Sequence, residues 1–331
     1  MIKKKLALFI ALSLLLSGCG LGNKNEDNKN IDISSNEKIT DDSTNEKSIE
    51  DSKSSNGSDS TSKLESNSKT ESTPKPESTP KEKSNPPQKP TTKKALSDTS
   101  SLSTEPIEWS WLYSSRDSAE LLSKYKAYGF GDTSKKIIYL TFDEGYENGY
   151  TDSILNTLKA NNVQATFFVT KPYVTGSFNG ISNTELLKRM SNEGHIIGNH
   201  SVHHKSMPTF KDESAFNAEI TQVEDAVNSV PGCKMLKYFR PPEGTFSELS
   251  LYYTQKLGYK SVFFTLAYKD YDVDNQPDPG SSKTQLLKNT RDGMICLLHA
   301  VSKTNVTILD SLIKEWKSQG YEFKTLDELP N

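Results

Sequence analysis

The stretch Ile137-Ile-Tyr-Leu-Thr-Phe-Asp-Glu-Gly-Tyr146 runs from β-forming apolar residues into two adjacent carboxylates and a glycine. Its first part predicts a strand over 136–141. A helical pattern follows over 151–160, so a strand, an acidic turn and a helix come in succession. The same succession recurs along the chain. Further strands are predicted over 165–170, 195–198, 237–240, 261–266 and 294–299, with another at 321–325. Helical patterns lie between them, over 183–192, 213–230, 248–257, 282–290 and 306–319. The last is the clearest, with Leu309, Leu312, Ile313 and Trp316 at i, i+3, i+4 and i+7 and Gly320 at a C-cap position. Alternating strands and helices predict an α/β fold on a parallel sheet, either a barrel or a doubly wound sheet. Both place a site at the C-terminal ends of the strands.

The residues at those ends carry chemistry. Asp143 and Glu144 are neighbours on an extended chain and point in different directions, so one could hold a metal while the other moves a proton. Four of the five histidines fall within residues 193–204, as His195, His200, His203 and His204, and the fifth, His299, ends a predicted strand. Imidazole suits both metal binding and proton transfer near neutral pH. His200 and His204 are four apart, so a helical backbone would bring them to one face to close on a single ion, although His203 has similar reach. Phe239-Arg-Pro-Pro-Glu-Gly244 is a rigid turn, in which prolines fix φ and a glycine ends the run. Its Arg240 is one of only four arginines, and a planar guanidinium suits holding a carboxylate. Taken one at a time, each motif also has a plain structural reading: a helix-capping acid, a buried histidine, a turn-stabilising arginine.

Outside this region the chain changes character. Met1-Ile-Lys-Lys-Lys5 precedes an apolar run from Leu6 to Leu16 and then Ser17-Gly-Cys19, which reads as an export signal. The run is shorter than the about 20 residues of an ordinary membrane-spanning helix. Leu16-Ser-Gly-Cys19 resembles the bacterial lipobox, so residues 1–19 are expected to be a lipoprotein signal with Cys19 as the lipidated residue. Residues 20–104 contain no Phe, Tyr or Trp and are rich in Ser, Lys, Asn, Glu and Pro. Such a segment buries too little apolar area to offset its ordering entropy, and a disordered tether is expected. Residues 105–331 are long enough for one domain with a sizeable core. The formal net charge is −3, without a concentrated basic face, which argues against nucleic acid as a partner. Cys233 and Cys296 could pair in an exported protein, or remain buried thiols.

Taken in order, Thr-Phe-Asp-Glu-Gly (141–145), His-Ser-Val-His-His (200–204), Arg-Pro-Pro-Glu-Gly (240–244) and Leu-His-Ala-Val-Ser (298–302) resemble the motifs of the NodB-type polysaccharide deacetylases, carbohydrate esterase family 4. The resemblance spans roughly residues 135 to 326. It implies a deformed (β/α) barrel and a divalent metal held by one acidic residue and two histidines, here Glu144, His200 and His204, with zinc as the first expectation. Glu144 stands where the family has Asp. Within the family, 143–150, 239–248, 268–277 and 298–303 are similar to the spore-cortex muramic-δ-lactam de-N-acetylases.

The resemblance assigns Asp143 as general base, Arg240 as the group that fixes it and His299 as general acid. Glu243, with Gly244, is expected to supply an oxyanion contact through a backbone N–H, and Asp270 and Tyr271 are expected near substrate. Asp270 and Asp272 are not separable at this level. The expected activity is metal-dependent de-N-acetylation of peptidoglycan by an exported, lipid-anchored enzyme on the outer face of the membrane. A chitin-type or acetylxylan deacetylase, and a glycan-binding lipoprotein without catalysis, are the alternatives. Trp109 and Trp111 are expected to pack on the barrel or to stack on sugar.

Overall fold

The computed structural model describes residues 98–109 and 118–330. Cys19, the signal and most of the tether lie outside these residues, as does Trp111. Numbering only the barrel elements, the strands are β1 Ile137–Glu144, β2 Thr166–Val169, β3 Ile196–Asn199, β4 Met235–Phe239, β5 Lys260–Ser261, β6 Met294–His299 and β7 Glu322–Lys324. The helices between them are α1 Thr151–Ala160, α2 Thr184–Asn192, α3 Glu213–Asn228, α4 Glu248–Lys256, α5 Pro279–Lys288 and α6 Lys303–Ser318.

The strands run parallel in the order β6-β1-β2-β3-β4-β5, and β7 pairs with the first half of β1. The two ends of this curled sheet meet through a single bridge between Leu266 and Cys296. There the Thr265 N–H donates to the Ile295 carbonyl at 2.8 Å, and the Leu297 N–H donates to Leu266 at 2.9 Å. The predicted strand over 261–266 is therefore largely absent as a strand. Its backbone leaves β4 after Ser261, takes the Tyr128 carbonyl at Phe263 and reaches β6 at Leu266. The result is the deformed (β/α) barrel.

Strand alternation sorts the side chains. Tyr139, Phe168, Ile196, Tyr238, Val262 and Ile295 form one buried cluster, the barrel floor. Ile138, Leu140, Phe142, Phe167, Val169 and Leu298 join the larger cluster under the helices. On α6, Leu309, Leu312, Ile313 and Trp316 are wholly buried, so truncating Leu312 to Ala would cost about 2–5 kcal/mol. That helix begins earlier than its apolar pattern, because the Ser302 side chain accepts the Asn305 N–H and caps it. Likewise α5 starts at Pro279, capped by Asp278.

One expectation is corrected at the edge of the domain. Leu102, assigned to the tether, is buried, and the Ser103 carbonyl accepts the Leu249 N–H at 3.0 Å. Packing against α4 thus begins a few residues before 105. Cys233 and Cys296 are both free.

Candidate active site

Asp143 ends β1 on the face that looks into the barrel mouth, directly opposite His299 in the β1–β6 register. Together they line a cavity of about 830 Å³ with His200, His203, His204, Arg240, Glu243, Gly244 and Tyr271. Arg240 follows β4 and lies wholly buried over the Phe168 ring, 4.2 Å from its centroid. Its Nη1 donates to Asp143 Oδ1 at 2.7 Å, while Nη2 and Nε donate to the Phe263 and Val262 carbonyls. Burial alone would raise the Asp143 carboxyl, but the Arg240 guanidinium, helped by His200 and His299, holds it below its ordinary value. Asp143 is therefore an ionised, oriented carboxylate with Oδ2 turned to the cavity.

On the other side, His299 is carried by Asp270. One carboxylate oxygen accepts the His299 backbone N–H at 2.8 Å and the other lies 2.6 Å from Nδ1. Asn305 donates to the same carboxylate and is itself held by the Tyr268 hydroxyl. Burial would push the His299 imidazole down, but the Asp270 carboxylate wins and holds it above its ordinary value. Asp270 is wholly buried and does not line the cavity, so its expected place near substrate is corrected: what it contacts is His299. Asp272 makes no such contact; its carboxylate bonds the Asn275 N–H and pairs with Lys269. Tyr271 does line the cavity, about half exposed, with its ring 5.4 Å from the His299 ring.

His200 and His204 meet as expected, with ring centroids 4.8 Å apart, but not on a helix. The segment after β3 is a loop, and Ser201 and His204 have positive φ values of 69° and 51°. The Ser201 hydroxyl accepts the His204 N–H at 3.0 Å and closes the turn. His200 Nδ1 lies 2.8 Å from the Arg240 carbonyl, which can only accept, so Nδ1 carries the proton and Nε2 faces Asp143 Oδ2 at 3.4 Å. Burial pushes this imidazole down to about 4, so it is neutral.

Glu144 does not join them. Being next to Asp143 on a strand, it points to the opposite face, toward α1. Its Oε1 accepts from the Thr151 hydroxyl at 3.3 Å, and its Oε2 has no hydrogen-bond partner among the described residues. Burial, aided by the nearby Glu147 carboxylate, pushes its carboxyl well above the ordinary range. Among the described residues, no group of three or more His, Cys, Asp or Glu is arranged to hold a metal ion. The expected ligand set of Glu144, His200 and His204 therefore does not fit a metal: two imidazoles converge and the third ligand faces away.

Glu243 and Gly244 form a left-handed turn, with φ 58° and 67°, at the cavity wall. For Glu243 this conformation costs on the order of 1 kcal/mol, a strain that persists only where the surroundings impose it. Trp109 both packs and lines the cavity. Its ring stacks on Phe263 at 4.5 Å and its indole N–H donates to the Phe264 carbonyl at 2.6 Å. His195 sits away from this cavity and accepts the Ala165 N–H at 3.1 Å. Asn305 behind Asp270 escaped the sequence reading, and so did Glu219 behind His203. Glu219 is buried on α3 and bonds His203. The available signal was an acid on the apolar stripe of Phe216, Ile220 and Val223.

An ionised carboxylate locked by arginine, beside a carboxylate-bound histidine on the neighbouring strand, is an arrangement suited to acid–base hydrolysis. Residues 130–262 match the family of polysaccharide deacetylases. The chain is 41% identical over 233 residues to the peptidoglycan-N-acetylmuramic acid deacetylase PdaA of Bacillus subtilis, covering 68% of this chain and 86% of that protein. It is 34% identical to the peptidoglycan-N-acetylglucosamine deacetylase PgdA of Listeria monocytogenes, over 59% of this chain and 39% of that protein. The solved structure of Bacillus subtilis PdaA, described as a family 4 carbohydrate esterase, aligns with a TM-score of 0.64 at 40% identity, covering 69% of this chain and 98% of that one. This chain belongs to the polysaccharide deacetylase family, and it is a hydrolase that deacetylates a polysaccharide.

Proposed function

We propose that the protein de-N-acetylates peptidoglycan, removing the acetyl group from N-acetylmuramic acid in the route to muramic δ-lactam of spore cortex. The observation that carries the chemistry is Asp143, fixed by Arg240, facing His299, fixed by Asp270. The sugar rests on the 41% identity to an N-acetylmuramic acid deacetylase over most of that protein. An N-acetylglucosamine or chitin-type substrate is the alternative, supported by lower identities to peptidoglycan-N-acetylglucosamine deacetylases, PgdA among them.

In this reading the acetamide carbonyl lies between the two groups. Asp143 takes a proton from a water as that water attacks the carbonyl carbon. The backbone N–H at Glu243 stabilises the oxyanion. The C–N bond then breaks, His299 gives its Nε2 proton to the departing amine, and acetate and a free amine result. The family implies a divalent ion, with zinc as the first expectation, but no step here runs through it because Glu144 faces away from the cavity.

The proposal includes export and lipid attachment at Cys19 to the outer face of the membrane. A labelled fatty acid carried by the wild-type chain and not by Cys19→Ala would support this. Acetate release from peptide-free glycan strands, with mass spectrometry of the products, tests the function. Free muramic amine or its lactam is expected, and free glucosamine alone would overturn the sugar assignment.

A further inference from the structure

Two of the four imidazoles that line the cavity, His299 and His203, are held in the same way, and only His299 has a part in the chemistry above. For His203, Glu219 Oε2 accepts the backbone N–H at 3.0 Å and Oε1 lies 2.5 Å from Nδ1. His299 and Asp270 repeat this pattern atom for atom. Glu219 is nearly as hidden as Asp270, at 5% exposure, and comes from α3, on the other side of the β3 loop. Both oxygens of a buried carboxylate thus serve one residue. The backbone bond alone would suffice to tie the loop to α3. The second bond orients an imidazole whose side chain is 61% exposed.

The partner of Nδ1 sets the tautomer. A carboxylate accepts only, so Nδ1 carries a proton toward Glu219 and Nε2 is left as the free nitrogen on the accessible edge of a ring that lines the cavity. In the sheet order, β3 lies three strands round the barrel from β6, so His203 stands across the mouth from His299. A fixed ring nitrogen at the mouth of a cavity suits a hydroxyl, which both donates and accepts, and a sugar ring carries several. Tyr146 and Tyr271 also line this cavity and are half exposed, giving flat apolar surfaces of the kind sugar rings lie against.

We infer that His203, oriented by Glu219, is a substrate-binding residue whose Nε2 makes a hydrogen bond to a sugar hydroxyl of the glycan strand. The inference deepens the proposed function and rests on it for the class of ligand. It assigns no proton transfer to His203.

The test uses the full-length protein, peptide-free peptidoglycan strands and two readouts. In the active enzyme, His203→Ala is expected to raise KM roughly fivefold to tenfold with kcat within about twofold, the loss of one hydrogen bond. His203→Gln, whose amide can also hydrogen-bond a hydroxyl, is expected to recover most of that loss, and Glu219→Gln to fall between. In an Asp143→Asn background, which binds without turnover, strand affinity measured by calorimetry is expected to follow the same order. A thermal melt of each variant registers any loss of the loop tie. Unchanged KM and affinity in His203→Ala, a loss confined to kcat, or a His203→Gln no better than Ala would overturn the inference. If His203→Ala does not fold, the comparison of His203→Gln with Glu219→Gln decides it. If the wild-type protein releases no acetate, the deacetylase reading falls, while the binding order in the Asp143→Asn background still judges His203.

Discussion

Asp270 holds His299 with both oxygens of one carboxylate, Oδ2 on the backbone N–H at 2.8 Å and Oδ1 at 2.6 Å from Nδ1. One bond fixes where the imidazole is, and the other fixes which nitrogen faces the cavity. The charge behind it keeps the ring protonated above the ordinary histidine range, as a general acid needs.

Asp270→Asn should therefore lower kcat and move the alkaline limb of the pH profile to lower pH. The sign follows from the opposing effects: with the Asp270 charge gone, the main influence that offsets burial is lost, the imidazole moves down and its acid form is lost earlier as pH rises. A loss in kcat of about tenfold to a hundredfold is expected, within the range of general acid catalysis. The measurement is kcat against pH, and an unmoved alkaline limb would remove Asp270 from this role.

Asp143→Asn and His299→Ala should each reduce acetate release by about 10²–10⁴-fold while the thermal melt stays close to that of wild type. Arg240→Lys should act differently. It keeps the charge but loses the planar set of bonds to Asp143 and the Val262 and Phe263 carbonyls. Losing the Arg240 hydrogen bond, one of the contacts that hold the Asp143 carboxyl down, raises it, so the acid limb of the profile should move to higher pH.

Glu144→Gln should leave both activity and the metal content of the purified protein unchanged, because the Glu144 side chain lies behind β1 and not in the cavity. It should also make the fold more tolerant of alkali. The buried carboxyl titrates well above its ordinary 4.5, so the unfolded chain ionises first and stability falls as pH rises past that value. The amide removes this dependence. Chemical denaturation at two pH values would read it, and a loss of bound metal in the variant would restore Glu144 as a ligand.

His195 and His200 are both buried and neutral, each pushed from 6.5 down to about 4. Between those values the unfolded chain binds the extra protons, so stability is present above about 6.5 and is lost as pH falls toward 4. At pH 5 the loss should be about 2 kcal/mol for each histidine, by the value of one pKa unit. A melt at pH 7 and pH 5 should show it, and His195→Asn, which keeps an acceptor for the Ala165 N–H, should flatten the difference.

The periodic signals account for most of what could be read in advance. A period of 3.6 in α6 and short apolar runs at β1, β2 and β6 placed those elements within a few residues. The misses have local causes. Caps at Ser302 and Asp278 started helices before their apolar stripes began. The 261–266 segment kept a strand-like composition but serves as the seam of the barrel, where bonds go alternately to the 128 loop and to β6.

The order of the motifs, their seats at strand ends and the identities of Asp143, Arg240 and His299 were fixed by the one-dimensional pattern, because alternation along a strand and apolar spacing along a helix are local properties. The partners of those groups were decided only by the folded chain. Asp270 behind His299, Glu219 behind His203 and the outward turn of Glu144 depend on which residues meet across the sheet, and burial then sets each charge by the neighbours it finds there.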